Sequence, residues 1–120
     1  MNELHDLKIG LGMVEKSIRD LHYGHSSENV SVILEQTLGY LKRAEKAAKK
    51  VKRDAKIDTI KDLLEEFRSI NLKRKKEEKI SKKKGVFPTH KLIDMIAEQL
   101  KLEDQIAYLA LKEANKIKEC

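Results

Sequence analysis

Two histidines, an arginine and a run of lysines are the residues whose types and spacing could do chemistry in this sequence. His22 and His25 are spaced HxxH, a separation that can bring two imidazoles to one metal ion. No cysteine lies nearby and the acids on offer are Asp20 and Glu28, so the pair reads as surface histidines flanking Gly24. Arg19 precedes His25 with five residues between them. In that arrangement a histidine could act as general base while the arginine steadies a phosphate. His5 and His90 have no partners in sequence. No Gly-rich phosphate loop, GxSxG, CxxC or paired-acid signature is present. The expectation is a protein that is not an enzyme and that uses no cofactor and no metal.

The basic run is the second chemical feature. Residues 73–84 (KRKKEEKISKKK) hold eight Lys/Arg and two Glu, a local balance of +6. The other 108 residues carry 18 basic and 18 acidic side chains and are neutral, so the net charge of +6 is local. Three readings stand for Lys73, Arg74, Lys75, Lys76, Lys82, Lys83 and Lys84. They form a solvated helix end and linker, they touch an anionic membrane surface, or they bind nucleic acid. The last is disfavoured because no aromatic residue interleaves with them for base stacking.

Helices must position whatever these residues do. The chain has 120 residues, one proline, five glycines, no Trp, and only two Phe and three Tyr. Such a composition suits narrow seams of Leu, Ile, Val and Ala between helices, and the fold class expected is all-α. Leu4, Leu7, Leu11, Val14, Ile18 and Leu21 recur in alternating steps of three and four, the seam of a helix packed along a partner. Gly10 and Gly12 lie off this seam and should cost roughly 1 kcal/mol each against Ala. The helix should end at Tyr23–Gly24, with Ser26 or Ser27 as the next N-cap.

A second stripe runs Val30, Leu34, Thr37, Leu41, Ala44, Ala48, Val51, Ala55, and its small second half allows close approach. A helix over 27–53 would span ~40 Å, and the short loop before it predicts an antiparallel hairpin with the first helix. The stripe then slips phase to Ile57, Ile60, Leu64, Phe67 and Ile70, which favours a turn near residues 54–58 over a continuous helix. Beyond Leu72 the apolar residues nearly stop. Gly85-Val-Phe-Pro88-Thr89 marks a boundary, with Gly85 ending one helix and Thr89 capping the next. The stripe jumps again at 101–102, predicting two short helices over 91–101 and 103–118. This yields a helical hairpin or coiled-coil stalk over 1–84 and a short helical pair over 85–120. The pair's apolar residues Leu92, Ile96, Leu100, Ile106 and Leu109 need a further surface. Either the stalk folds back to supply that surface or a partner protein does; the stiff exit at Pro88 favours the partner, with Tyr108 as an aromatic anchor.

The only cysteine is Cys120, and no signal-peptide core or long apolar run is present, so a cytoplasmic protein, peripheral to a membrane at most, is expected.

Two stretches of the sequence resemble known families. The spacing of Arg19 and His25 resembles the R-x4–6-H signature of HEPN-type ribonucleases, which implies RNA cleavage by that pair. The stretch Ile96-Ala-Glu-Gln-Leu-Lys-Leu-Glu-Asp-Gln-Ile-Ala-Tyr-Leu109 resembles the steadiness box of ESCRT-I, through Ala97-Glu98, Glu103-Asp104, Ile106, Tyr108 and Leu109. That family's box follows a long coiled coil, and its entry is similar to Phe87-Pro-Thr89. No counterpart of the family's ubiquitin-binding UEV domain is present, so ubiquitin binding does not carry over. The resemblance implies a non-enzymatic scaffold subunit that assembles with other ESCRT-I-type core subunits by helix–helix packing. The alternative is an unrelated helical adaptor, binding another helical protein or a second copy of itself.

Overall fold

The 3–4 stripes can be hidden from water only by packing against one another, and the computed structural model shows how. It describes residues 2–22, 26–86 and 88–118, and among them the only extended regular elements are four α-helices. Helix α1 spans Glu3–Arg19 and relaxes into a 3-10 turn at Asp20–His22. Helix α2 is Ser27–Lys50, α3 is Ile57–Lys84 and α4 is His90–Asn115. Each packs mainly on its two neighbours in the cyclic order α1–α2–α3–α4. Opposed pairs such as Glu3 with Lys50, Gly10 with Ala44 and Ser17 with Thr37 show α1 and α2 to be antiparallel. Arg68 with Glu35 and Glu78 with Ser27 show the same for α2 and α3. The result is an up-down-up-down four-helix bundle, 57 Å long and 19 × 18 Å across.

Local sequence explains the ends. Asn2, Ser26 and Thr89 each accept a hydrogen bond from the backbone N–H three residues on, capping α1, α2 and α4. Gly85 closes α3 at φ +70°, with Val86 N–H returning to the Ser81 carbonyl, a Schellman turn. The same turn ends α2, where Arg53 N–H returns to the Ala48 carbonyl, but here Lys52 adopts the left-handed conformation. Ala55 and Lys56 do so too. The phase slip after Ala55 is therefore a turn.

The seams pack as their spacing requires. Leu7, Leu11, Val14 and Ile18 of α1, Leu34, Leu41 and Ala44 of α2, and Ile60, Leu64 and Phe67 of α3 are buried in one core with Ile106, Ala107 and Ala110 of α4. Gly10 is an exception to the sequence reading. It faces α2 so closely that a Cβ placed on it would lie 2.9 Å from the Ala44 Cβ, making it the contact point of α1 and α2.

The C-terminal third departs further. The spacing predicts two short helices, and one continuous helix forms instead. The apparent phase jump at 101–102 disappears once Gln99 and Glu103 are counted as inward positions. Leu92, Ile96, Gln99, Glu103, Ile106, Ala110 and Glu113 keep unbroken 3–4 spacing, and all but the half-buried Ile96 are buried. Leu102 is also buried, one arc away, because α4 has two neighbours to cover. Leu92 and Ile106, assigned above to a partner, are thus enclosed by the chain itself. The stalk expected over 1–84 folds against α4, and Gly85 marks a turn inside one bundle.

Candidate functional site

Helices α3 and α4 outrun α1. Helix α1 has 17 residues against 28 and 26 for α3 and α4, so the end where α3 finishes and α4 begins lacks a full fourth wall. A cleft of ≈340 Å³ opens there. Leu21, Val30, Phe67, Leu92, Ile96 and Leu100 supply its apolar lining, and Arg74, Glu78, Gln99 and Glu103 its polar wall.

The polar wall continues the α3 seam. After Phe67 the 3–4 spacing runs on through Asn71, Arg74, Glu78 and Ser81, and these point inward although none is apolar. Asn71 Nδ2 donates to the Ser27 carbonyl at 3.1 Å and to Ser31 Oγ at 2.9 Å, while its Oδ1 accepts from Gln99 Nε2 at 3.1 Å. Arg74 donates from Nη1 to Gln99 Oε1 at 3.0 Å and from Nε to Glu78 Oε2 at 3.2 Å. Glu78 accepts in turn from the Ser27 backbone N–H and hydroxyl. Its carboxylate thereby sits at the N-terminus of α2, where a negative charge is favoured by the helix dipole. The network ties α2, α3 and α4 together, and no buried side-chain polar atom among the described residues lacks a partner.

Arg74 therefore leaves the set assigned to anionic contact. It is 7% exposed and committed to Glu78 and Gln99, because its place in the 3–4 repeat directs it inward. The lysines of that set, Lys73, Lys75, Lys76, Lys82, Lys83 and Lys84, are exposed. Lys79 joins them, which the assignment omitted. Of the residues assigned to partner contact, Leu100 and Tyr108 are exposed, and Ile96 and Leu109 are half-buried. A second outward stripe on α4 was missed, and its signal is the same 3–4 spacing one arc away. Ile93, Ala97, Leu100, Asp104, Tyr108 and Leu111 all face outward. Tyr108 is 64% exposed with the Lys112 ammonium 5.9 Å from its ring centre.

No protein-family model, curated protein or solved structure matches this chain.

Arg19 donates to Glu15 Oε2 at 2.6 Å on the exposed side of α1. His25 and the side chain of His22 lie outside the described residues, so both histidine readings fall there. Among the described residues no group of three or more His, Cys, Asp or Glu could hold a metal ion. No helix of the described residues is long and apolar enough to cross a membrane. What the arrangement offers is a polar network with its partners made, a shallow apolar cleft, an exposed α4 stripe and a lysine-covered end.

Proposed function

We propose that this chain is a non-catalytic scaffold that works by docking other helices on its surface. The observation that carries this reading is the outward stripe of α4. A closed bundle has no structural use for Ile93, Leu100, Tyr108 and Leu111 on one exposed arc. An apolar stripe at 3–4 spacing is what a partner helix packs against. Tyr108 adds an amphipathic anchor of the type enriched at interface centres.

The narrower reading is an ESCRT-I-like core subunit, and its support is the sequence resemblance over residues 96–109. Of the matching residues, Ala97, Glu98, Asp104 and Tyr108 face outward, while Glu103 and Ile106 are occupied inside the bundle. Assembly of this kind would use the outer stripe of an intact bundle. The unrelated-adaptor form of the proposal fits the same surface, with a second copy of the chain as one partner. The closed bundle favours it, because the C-terminal third needs no partner to bury Ile106.

Co-expression with the other ESCRT-I core subunits, read by size-exclusion chromatography, tests the proposal in both forms. Co-elution that Leu100→Glu with Tyr108→Glu abolishes, while helicity is unchanged, supports the ESCRT-I form. Self-association lost in the same variant supports the adaptor form. A wild-type chain that stays monomeric and co-elutes with none of these subunits would overturn both the ESCRT-I form and the self-association form.

A further inference from the structure

The bundle is electrically lopsided. Residues 73–91 hold nine Lys/Arg and two Glu, a balance of +7, and the remainder of the chain carries 17 basic and 18 acidic side chains, a balance of −1. All of that positive charge sits where α3 ends and α4 begins, one end of a body 57 Å long. We propose that this end docks on an anionic membrane surface, with the lysines of α3 as its charge and Leu72, Ile80 and Val86 as shallow apolar contacts.

Three features select a bilayer over other polyanions. First, the exposed cations of residues 73–91 are lysines, and the one arginine among them, Arg74, is held inside. Guanidinium forks are what bidentate phosphate and base-edge recognition uses, whereas a diffuse negative surface asks only for point charges on flexible stems. Second, aliphatic side chains stand among the lysines: Leu72 is 60% exposed, Ile80 44% and Val86 58%. A nucleic-acid backbone offers them nothing, while the boundary between headgroups and acyl chains does. Third, charge and an apolar contact share one face. At 100° per residue Leu72, Lys76, Lys79 and Lys83 fall within an arc of about 60° on the outward side of α3, with Ile80 beside it. A single face of that width can lie on a flat surface with its lysines and Leu72 turned toward it together. The proposal stands apart from the helix-docking stripe on α4 and uses none of its residues.

Flotation of the full chain with vesicles tests it, using phosphatidylcholine alone and two parts phosphatidylcholine to one part phosphatidylserine. Binding is expected to the mixed vesicles only. Each near-surface lysine multiplies partition by about five, so replacing Lys76, Lys79 and Lys83 together by Gln should lower it about a hundred-fold. Screening at ~0.5 M salt should leave a residual fraction, which Leu72→Ser with Ile80→Ser and Val86→Ser removes. All six positions are exposed, so unchanged helicity and thermal midpoint control for folding. Equal binding to pure phosphatidylcholine, indifference to the triple Gln variant, or no binding to mixed vesicles at low salt would each overturn the proposal. So would tighter binding to duplex DNA than to the mixed vesicles, which would assign the lysines to nucleic acid. Complete loss at ~0.5 M salt in the unaltered chain would overturn the apolar part.

Discussion

Replacing Ile106 by Ala decides whether the C-terminal third is part of the bundle or an appendage. Ile106 is 0% exposed and packs in the core that α1, α2 and α3 also build. Truncating a buried Ile to Ala removes its transfer free energy and leaves a cavity, together about 2–5 kcal/mol. At about 2.1 cal/mol/K per residue, a chain of this length unfolds with an entropy near 0.25 kcal/mol/K, so ~3 kcal/mol lowers Tm by roughly 12 °C. Tyr108 lies two residues away on the same helix but is 64% exposed. Its change to Ala should stay within about 0.5 kcal/mol, roughly 2 °C. Circular dichroism at 222 nm through heat and urea measures both. One bundle predicts a single transition that moves as a whole for Ile106→Ala, with the urea midpoint falling at unchanged slope. A Tm shift below ~4 °C would refute the reasoning. So would a biphasic melt in which most of the helicity keeps the wild-type midpoint, because residues 85–120 would then be a separate unit.

Other substitutions probe the remaining joints. Gly10→Ala should destabilise although Ala favours helix, since its Cβ would meet the Ala44 Cβ at 2.9 Å; Gly12→Ala, with nothing within 4 Å, should stabilise by about 1 kcal/mol, and urea midpoints of opposite sign check the pair. Arg74→Ala should cost about 3 kcal/mol by removing the cation that pairs with Glu78 and the donor to Gln99 Oε1, whereas Lys76→Ala on the outer face should move Tm by no more than about 2 °C. Gly85→Ala should cost about 1 kcal/mol because φ +70° is a left-handed conformation, and D-Ala introduced there by chemical ligation should recover it.

Apolar periodicity made the first three seams legible. Leu7 to Ile18, Val30 to Ala48 and Ile57 to Ile70 are buried where their spacing puts them, because over those stretches the core face is apolar apart from Ser17 and Thr37. The reading failed where the core face turns polar. Counting only apolar residues drops Asn71, Arg74, Gln99 and Glu103, so that count takes α3 out of the core after Leu72 and breaks α4 at 101–102. The recoverable signal was that non-lysine residues hold the 3–4 positions inside a lysine run. Gly10 was misread for a different reason. Its value lies in how close Ala44 can come, and a one-helix pattern contains no partner. The turn after α2 was weakly marked because Lys52, Ala55 and Lys56 take left-handed conformations that sequence rules assign to glycine. Of the candidate surfaces, the lysine-rich end could be read directly, while the outer stripe of α4 became visible only once the inner stripe was known.

The two ends of the bundle are held by different physics, and this bears on which end does the work. Toward the turn between α2 and α3, small and branched apolar residues meet across close-packed helices, and the Gly10–Ala44 approach fixes their spacing. Toward the lysine-rich end the inward positions of α3 are Asn, Arg, Glu and Ser, whose hydrogen bonds specify register but whose net worth is about 1 kcal/mol each. The same end carries the mutual repulsion of its lysines and an open cleft where α1 has already stopped. Fewer apolar contacts and unbalanced like charge place the weaker stability there, at the low end of the range from which binding regions are drawn. A polyanionic surface that touches those lysines would relieve the repulsion and stabilise the end it binds, since a ligand that favours the folded state adds to its stability. The polar seam then has a physical role beside its structural one: it keeps α3 and α4 in register at the end that has least apolar core to do so.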